Sequence, residues 1–435
     1  MLGLYVHVPF CSAICNYCNF NRGLFDADLK ARYVDALIAE IVVAGRTHGS
    51  APTSVVASAP KHGAAPRSVV ASAPKHGAAP RSAVAPAPKH EAATASVVPT
   101  LVGADPRVGP CSADTIFFGG GTPSLLEPEE IARIIEACAS SFDLTADREV
   151  TLEANPESVT EARLAAYRRA GVNRLSFGVQ SFRDDELRRL SRLHSADRAR
   201  AAFSEARAAG FDNVSLDLMM WLPQQSVSEW LESIDGAIAL APEHLSLYML
   251  EVYPNAPLKD DMARARWSQA PDDDVAAMYV AAMERLEAAG YAQYEISNVA
   301  RAGRRSRHNL KYWMDEEWLG FGCGAHSTRG GVRWKNISST QEYISQVTTG
   351  GELAVDIRRL TPAEQLGDAL FTGLRLVDGI DVNAIQTRYG VDVWDRFGPD
   401  LQPFLEAGCL RRTESRLSLT RQGMLLAHEV MSVFV

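Results

Sequence analysis

LYVHVPFCSAICNYCNF, residues 4–20, joins a short apolar run to three cysteines spaced C-x3-C-x2-C. Leu2–Val8 has the length and apolar content of a buried strand. Cys11, Cys15 and Cys18 fall in the loop that follows it. Three thiolates on one tight loop suit a 4Fe–4S cluster, because three irons take one sulfur each and the fourth stays open. An open iron can be chelated by an amino and carboxylate pair such as that of S-adenosyl-L-methionine (SAM). The competing reading is a zinc knuckle with His7 as fourth ligand, since structural zinc takes four ligands in closely spaced pairs.

Downstream, apolar strand patterns alternate with helical ones. Strands are expected at 115–118, 149–154, 174–178, 214–218 and 244–250, with helices at 28–44, 128–140, 160–170, 184–209 (two) and 226–241. Six strands separated by helices predict an α/β fold with a parallel sheet, open or barrel-shaped. Chemistry in such folds collects at the carboxyl ends of the strands, where the cysteine loop lies. After about residue 270 the alternation breaks. A helix over 272–289, a hairpin over 410–419 and a helix over 423–433 predict a smaller C-terminal α+β domain, with a winged-helix ending. The expected division is 1–47 with 111–270 for the barrel, 48–110 for an insertion and 271–435 for the C-terminal domain.

The insertion is marked by a repeat. Residues 51–92 hold three 14-residue units, APTSVVASAPKHGA, APRSVVASAPKHGA and APRSAVAPAPKHEA, with His62, His76 and His90 in register. A stretch rich in proline and lacking aromatic residues builds no core, so it reads as a disordered linker rather than a metal-collecting segment. It enters between the first helix and the second strand, on the side away from the carboxyl ends.

The 435 residues carry a net charge of −9, which argues against a nucleic-acid partner. Seven cysteines, three of them within eight residues, fit cluster ligation in a reducing compartment better than a disulfide framework. No secretory signal and no apolar run near the roughly 20 residues of a transmembrane helix are present, so a cytoplasmic place is expected.

Further polar residues mark successive strand ends. Gly119-Gly120-Gly121-Thr122 follows the second strand, and glycines there let backbone N–H groups approach a ligand. Glu153 ends the third strand, Gln180 the fourth and Asp217 the fifth, and Arg192 lies between. Singly, each reads as a buried ion pair or cap; their recurrence points to a ligand pocket.

The cysteine spacing after a first strand resembles the radical SAM superfamily, and residues 4–20 look like its branch containing oxygen-independent coproporphyrinogen III oxidase. The resemblance implies a partial (β/α)6 barrel. It also implies a 4Fe–4S cluster on Cys11, Cys15 and Cys18, and SAM held by Gly120, Gly121, Thr122, Glu153, Gln180, Arg192 and Asp217, with Tyr5 and Tyr17 as aromatic contacts. One departure stands out: relatives read D-L-x-x-G-L-P-x-Q where this chain has Trp221 in place of the glycine.

Within that branch, two functions compete. The oxidase has a fourth cysteine two residues past the third, where this chain has Phe20, and an N-terminal extension that this chain's early first strand leaves no room for. His308-Asn-Leu-Lys-Tyr312-Trp313 matches the H-N-x-x-Y-W motif of HemW-type haem chaperones, and GFGCGAHS and LTRQGMLLAHEV resemble that family too. This resemblance implies haem contact at His308, Tyr312 and Trp313, with an imidazole able to ligate iron and flat rings beside the porphyrin. Arg301, Arg304, Arg305 and Arg307 are candidate propionate partners, and His326 is a second imidazole candidate. The implied partners are haem and haem-acceptor proteins, respiratory or other haemoproteins, with a homodimer as assembly. The residues leave open whether SAM is cleaved.

Overall fold

A computed structural model describes residues 1–47 and 111–435. The repeat insertion, 48–110, lies outside the described residues. Strands β1 (Leu2–Val8), β2 (Ser112–Gly120), β3 (Asp143–Ala154), β4 (Arg174–Gln180), β5 (Val214–Met220) and β6 (His244–Met249) run parallel in that spatial order. Helices α1 (Ala27–Arg46), α2 (Pro128–Ser141), α3 (Glu161–Ala170), α4 (Asp184–Arg189), α5 (Ala196–Ala208) and α6 (Val227–Leu240) supply the crossovers. The α/β expectation holds, and all six expected strands appear, β2 and β3 starting earlier than expected, at Ser112 and Asp143.

Local chemistry sets the helix starts. Pro128 opens α2 behind a Glu127–Glu130 capping box, and Ser226 and Glu229 form another at α6. Each box satisfies two backbone N–H groups left over at a helix start. The strands then sort their faces. Leu4, Val6 and Val8 of β1 are fully buried in the core that also holds Tyr33 and Leu37 of α1 and Ile131 and Ile134 of α2. The opposite face is polar yet buried: Thr115, Thr151, Arg174, Ser176, Ser215, His244 and Ser246. Several of these groups pair inside the barrel, as in Ser176 to Asp217 and Ser215 with His244, while Thr151 Oγ1 and Arg174 Nε have no partner among the described residues. A polar interior of this kind is stable only when its members hydrogen-bond one another.

The structure departs from expectation past residue 270. Six further strands follow: β7 (Ala292–Glu295), β8 (Asn298–Ala300), β9 (Trp318–Phe321), β10 (His326–Arg329), β11 (Val332–Asn336) and β12 (Ala354–Arg359). All join the barrel sheet, whose order is β12-β11-β10-β9-β1-β2-β3-β4-β5-β6-β8-β7. Strand β8 adds antiparallel to β6, and β9 adds parallel to β1. The expected break at 270 is therefore not a break in the sheet. Helices α7 (Pro257–Ala265), α8 (Asp272–Ala288), α9 (Arg307–Trp313) and α10 (Thr340–Thr349) accompany this segment. Beyond Arg359 lie α11 (Pro362–Gly373), α12 (Val382–Tyr389), α13 (Val393–Glu406), α14 (Arg421–Leu425) and α15 (Ala427–Met431), with a separate three-stranded sheet. The expected final helix is split at Leu426, whose backbone leaves the helical region. No helix among the described residues is long and apolar enough to cross a membrane.

Candidate cluster and SAM site

The cysteine loop closes over the carboxyl ends of β1 and β2. Phe10–Cys11 pairs with Gly23–Leu24, and the Gly121 and Thr122 N–H groups donate to the Val8 and Phe10 carbonyls, both at 2.7 Å. Two glycines are dictated by contact. A Cβ on Gly120, where φ is +114°, would fall 2.6 Å from the His7 ring. One on Gly121 would fall 2.6 Å from the Phe10 carbonyl and 3.1 Å from the Cys11 sulfur. Only glycine permits this approach.

The thiol of Cys11 is buried, and the Thr122 hydroxyl reaches it at 3.7 Å. Burial pushes this thiol up, and the neighbouring Cys18 and Cys15 add to the effect, so the three thiols share one electrostatic neighbourhood. Arg192 reaches the Cys15 sulfur at 3.4 Å, Asn155 at 2.6 Å and the Gly178 carbonyl at 2.8 Å. Asn155 in turn donates to the Thr122 hydroxyl at 3.1 Å. A continuous polar chain thus runs from Cys11 through Thr122, Asn155 and Arg192 to Cys15. Tyr17 lies against Arg192 and packs on the apolar cluster of Leu190, Met219, Leu222, Leu250 and Leu258.

These residues fit the cluster and SAM. The three thiols form a soft donor set. The pocket beside them holds buried polar atoms with no partner among the described residues, Gln180 Oε1 and Arg192 Nε. Gln180 also sits at φ +69°, a conformation costly outside glycine and typical of ligand clamps. The zinc alternative loses its fourth ligand: His7 Nδ1 meets the Tyr5 hydroxyl at 3.1 Å and Nε2 the Asn21 carbonyl at 2.8 Å.

Deeper in the barrel, Glu153 accepts from the Gly120 N–H at 3.3 Å. Burial, with Asp217 nearby, pushes its carboxyl up to about 8. Asp217 is itself raised by burial. Without SAM, the folded protein therefore keeps a proton on Glu153 that the unfolded chain releases from about 4.5. The fold binds the extra proton, so stability falls as pH rises through that window. Glu153→Gln should flatten this loss, on the order of a few kcal/mol, in denaturant titrations of SAM-free protein between pH 5 and 8.

The haem residues are placed elsewhere. Helix α9 lies across the floor of the barrel, with Glu149 of β3 accepting from the Arg307 and His308 N–H groups at its first turn, both at 3.2 Å. His308 is buried; its Nδ1 meets Thr115 at 2.8 Å and its Nε2 the Tyr312 hydroxyl at 2.9 Å. Its ring stacks on Phe117 at 5.1 Å and Tyr5 at 6.4 Å, extending a column up to His7 beneath the cysteines. Lys311, one turn on, is buried against Asp114 at 2.8 Å. Residues 308, 311 and 312 therefore form the inward stripe of a plug, while Trp313 points away and carries Arg375 over its ring at 4.3 Å. Both His308 nitrogens are engaged inside the protein, one by a hydroxyl of its own helix. The four arginines are also committed: Arg301 to Tyr291 and the Pro242 carbonyl, Arg304 to Asp212, Arg305 to Asp378, and Arg307 to Asp114 and Asp147. His326 is exposed on β10.

Asn155 is the site residue that the sequence reading passed over. It stands directly after β3, two residues past Glu153, a position that alone could have drawn notice.

A thiol triplet over a parallel barrel, with a glycine ledge and buried polar side chains beside it, is the arrangement of a radical SAM protein. The Radical SAM superfamily pattern matches residues 108–237, and the HemN C-terminal domain matches 360–426. The chain is 33% identical over 436 residues to "Heme chaperone HemW" of Bacillus subtilis, covering 100% of this chain and 99% of that protein. It is 43% identical over 322 residues to the protein of that name from Escherichia coli, covering 74% and 84%. The chain belongs to the HemW family. Coproporphyrinogen III oxidase (HemN) from Escherichia coli shares the fold, with a TM-score of 0.75 at 22% identity over 100% of this chain and 89% of that one.

Proposed function

We propose that this chain binds haem and hands it to acceptor haemoproteins, respiratory ones among them, with a 4Fe–4S cluster on Cys11, Cys15 and Cys18 and SAM in the pocket beside it. The observation that carries the reading is the match to a heme chaperone across its whole length. The cysteine loop agrees: Phe20, where the oxidase reading needs a fourth cysteine, stands 68% exposed as an apolar side chain beside the loop. When bound, the cluster supplies one-electron reduction of SAM. The chain's own residues orient the ligand: Glu153 and Asp217 offer carboxylates, Gln180 an amide oxygen and Arg192 a guanidinium that also touches Cys15. A homodimer is the proposed assembly.

Transfer tests this. Haem-loaded protein with cluster and SAM is mixed with the apo form of a respiratory cytochrome, and the acceptor spectrum is followed. Appearance of holo-cytochrome faster than haem escapes to a passive scavenger is expected. Equal rates would reject delivery.

A further inference from the structure

Two asparagines, one on either side of Cys18, moor the cysteine loop to the rest of the fold. Asn16 stands directly after Cys15 and is buried. Its carboxamide donates to the Arg189 carbonyl at the end of α4 and to the Asp261 carboxylate of α7, both at 2.9 Å. Its backbone carbonyl accepts from the Leu258 N–H at 3.0 Å. Asn21, past Cys18, repeats the arrangement with other partners. Its carboxamide donates to the Cys323 and Ser338 carbonyls, both at 3.1 Å, and its backbone carbonyl accepts from His7 Nε2 at 2.8 Å. The partners of Asn16 follow β4 and β6, and those of Asn21 follow β9 and β11. These strands lie on opposite sides of β1 in the sheet, so the loop is strapped across the barrel mouth from both directions.

The turn that receives Asn21 is shaped to it. Gly324 has φ +71°, and a Cβ there would fall 2.3 Å from Asn21 Nδ2. Reaching two carbonyls from one short side chain needs two N–H donors, which serine and aspartate lack. The turn is held from behind. The Cys323 N–H donates to the Tyr33 hydroxyl at 3.1 Å, and the Gly322 N–H donates to Glu40 of α1 at 2.8 Å. Glu40 also accepts from Asn336 and from the Tyr343 hydroxyl of α10, both at 2.6 Å.

The three thiols differ in what else holds them. Cys11 is buried and paired with Leu24 in a two-stranded ladder. Cys15 and Cys18 are partly buried and stand outside any strand, joined by one turn bond of 3.2 Å from the Cys18 N–H to the Cys15 carbonyl. We infer that Asn16 and Asn21 are positioning residues for the cluster, fixing Cys15 and Cys18 at the spacing set by the sheet-bound Cys11, a role that rests on the cluster reading above. Neither asparagine is a ligand; each acts through the backbone of the loop, as groups behind a metal site orient the ligands themselves.

The test uses the full chain and reads the loop with and without iron. In cluster-free protein, iodoacetamide labelling under native conditions is followed cysteine by cysteine. Asn21→Ala should label Cys18 about tenfold faster, and Asn16→Ala both Cys15 and Cys18, with Cys11 at its wild-type rate in each. After anaerobic reconstitution, both variants should lose iron to a chelator about tenfold faster than wild type or more. Leu286→Ala, in the core beneath α8, lowers the unfolding midpoint without touching the loop and should change neither rate. Should an alanine variant not fold, Asn16→Asp or Asn21→Asp, of the same shape without N–H donors, takes its place with the same expected result. Wild-type rates in the folded variants would overturn the inference. Equal acceleration in Leu286→Ala, or at Cys11, would overturn it too, because the asparagines would then serve stability alone. A wild-type protein that takes up no iron would instead remove the cluster reading, and this role with it.

Discussion

Cys15→Ala is expected to erase the visible iron–sulfur absorption of anaerobically reconstituted protein almost completely. Three thiolates hold three irons of a cubane whose fourth is left for SAM, so removing one leaves two irons without protein ligands. Cys15 is the most informative of the three, because Arg192 touches its sulfur at 3.4 Å while also holding Asn155 and the Gly178 carbonyl. The substitution therefore removes a ligand and one end of the chain linking Cys11 to the SAM pocket. The fold itself should survive, since the thiol is only partly buried and makes no core contact of consequence. Iron content, sulfide content and the visible spectrum, compared with an unchanged far-ultraviolet circular dichroism, check this. A retained chromophore would reject the cluster assignment.

His308→Ala is expected to lower stability on the order of 4 kcal/mol, at the upper end for a single substitution. The imidazole satisfies the Thr115 and Tyr312 hydroxyls, and each buried group left without a partner costs about 1–3 kcal/mol. A void beside Phe117 adds to this. Burial, then Lys311, holds the imidazole neutral and pushes its pKa down to about 3. The folded state thus refuses a proton that the unfolded chain takes up near 6.5, so stability falls as pH drops below about 6.5. The alanine variant should lack that acid-side loss. Urea unfolding at several pH values measures both effects. Haem uptake is also expected to fall in this variant while the cluster absorption stays intact; unchanged uptake would remove His308 from the haem contacts.

These predictions rest on parts of the molecule that were unequally legible in the sequence. The barrel was readable because its strands are continuous apolar runs ending in chemistry, and Leu2–Val8 with its cysteine loop fixed the first of them. Strand β3 starts at Asp143 rather than near 149, because its first residues, DLTADR, are polar and largely exposed. Strands β7 to β12 were missed for a related reason. Most are three to five residues long, and their pairing partners lie at both edges of a sheet built much earlier in the chain. No local pattern reports such a return.

The site divided the same way. Glu153, Gln180 and Asp217 announced themselves by standing at successive strand ends, and Asp217 lies near enough to Glu153 to help raise its carboxyl. Trp221 was visible as a departure from the family pattern, and its φ of +64° explains why relatives carry glycine there. The motif around His308 was legible as a motif, but its placement was not. The spacing of 308, 311 and 312 is that of one helical face, and only the topology shows that this face plugs the barrel floor.

The central claim is that this member of the HemW family carries haem rather than decarboxylating its precursor. One preparation decides it. Protein reconstituted anaerobically with cluster and SAM is titrated with ferric haem, and the same preparation is given coproporphyrinogen III and a reductant. Stoichiometric haem binding with no protoporphyrinogen formed is the predicted result. Turnover of coproporphyrinogen III with no haem retained would contradict the account.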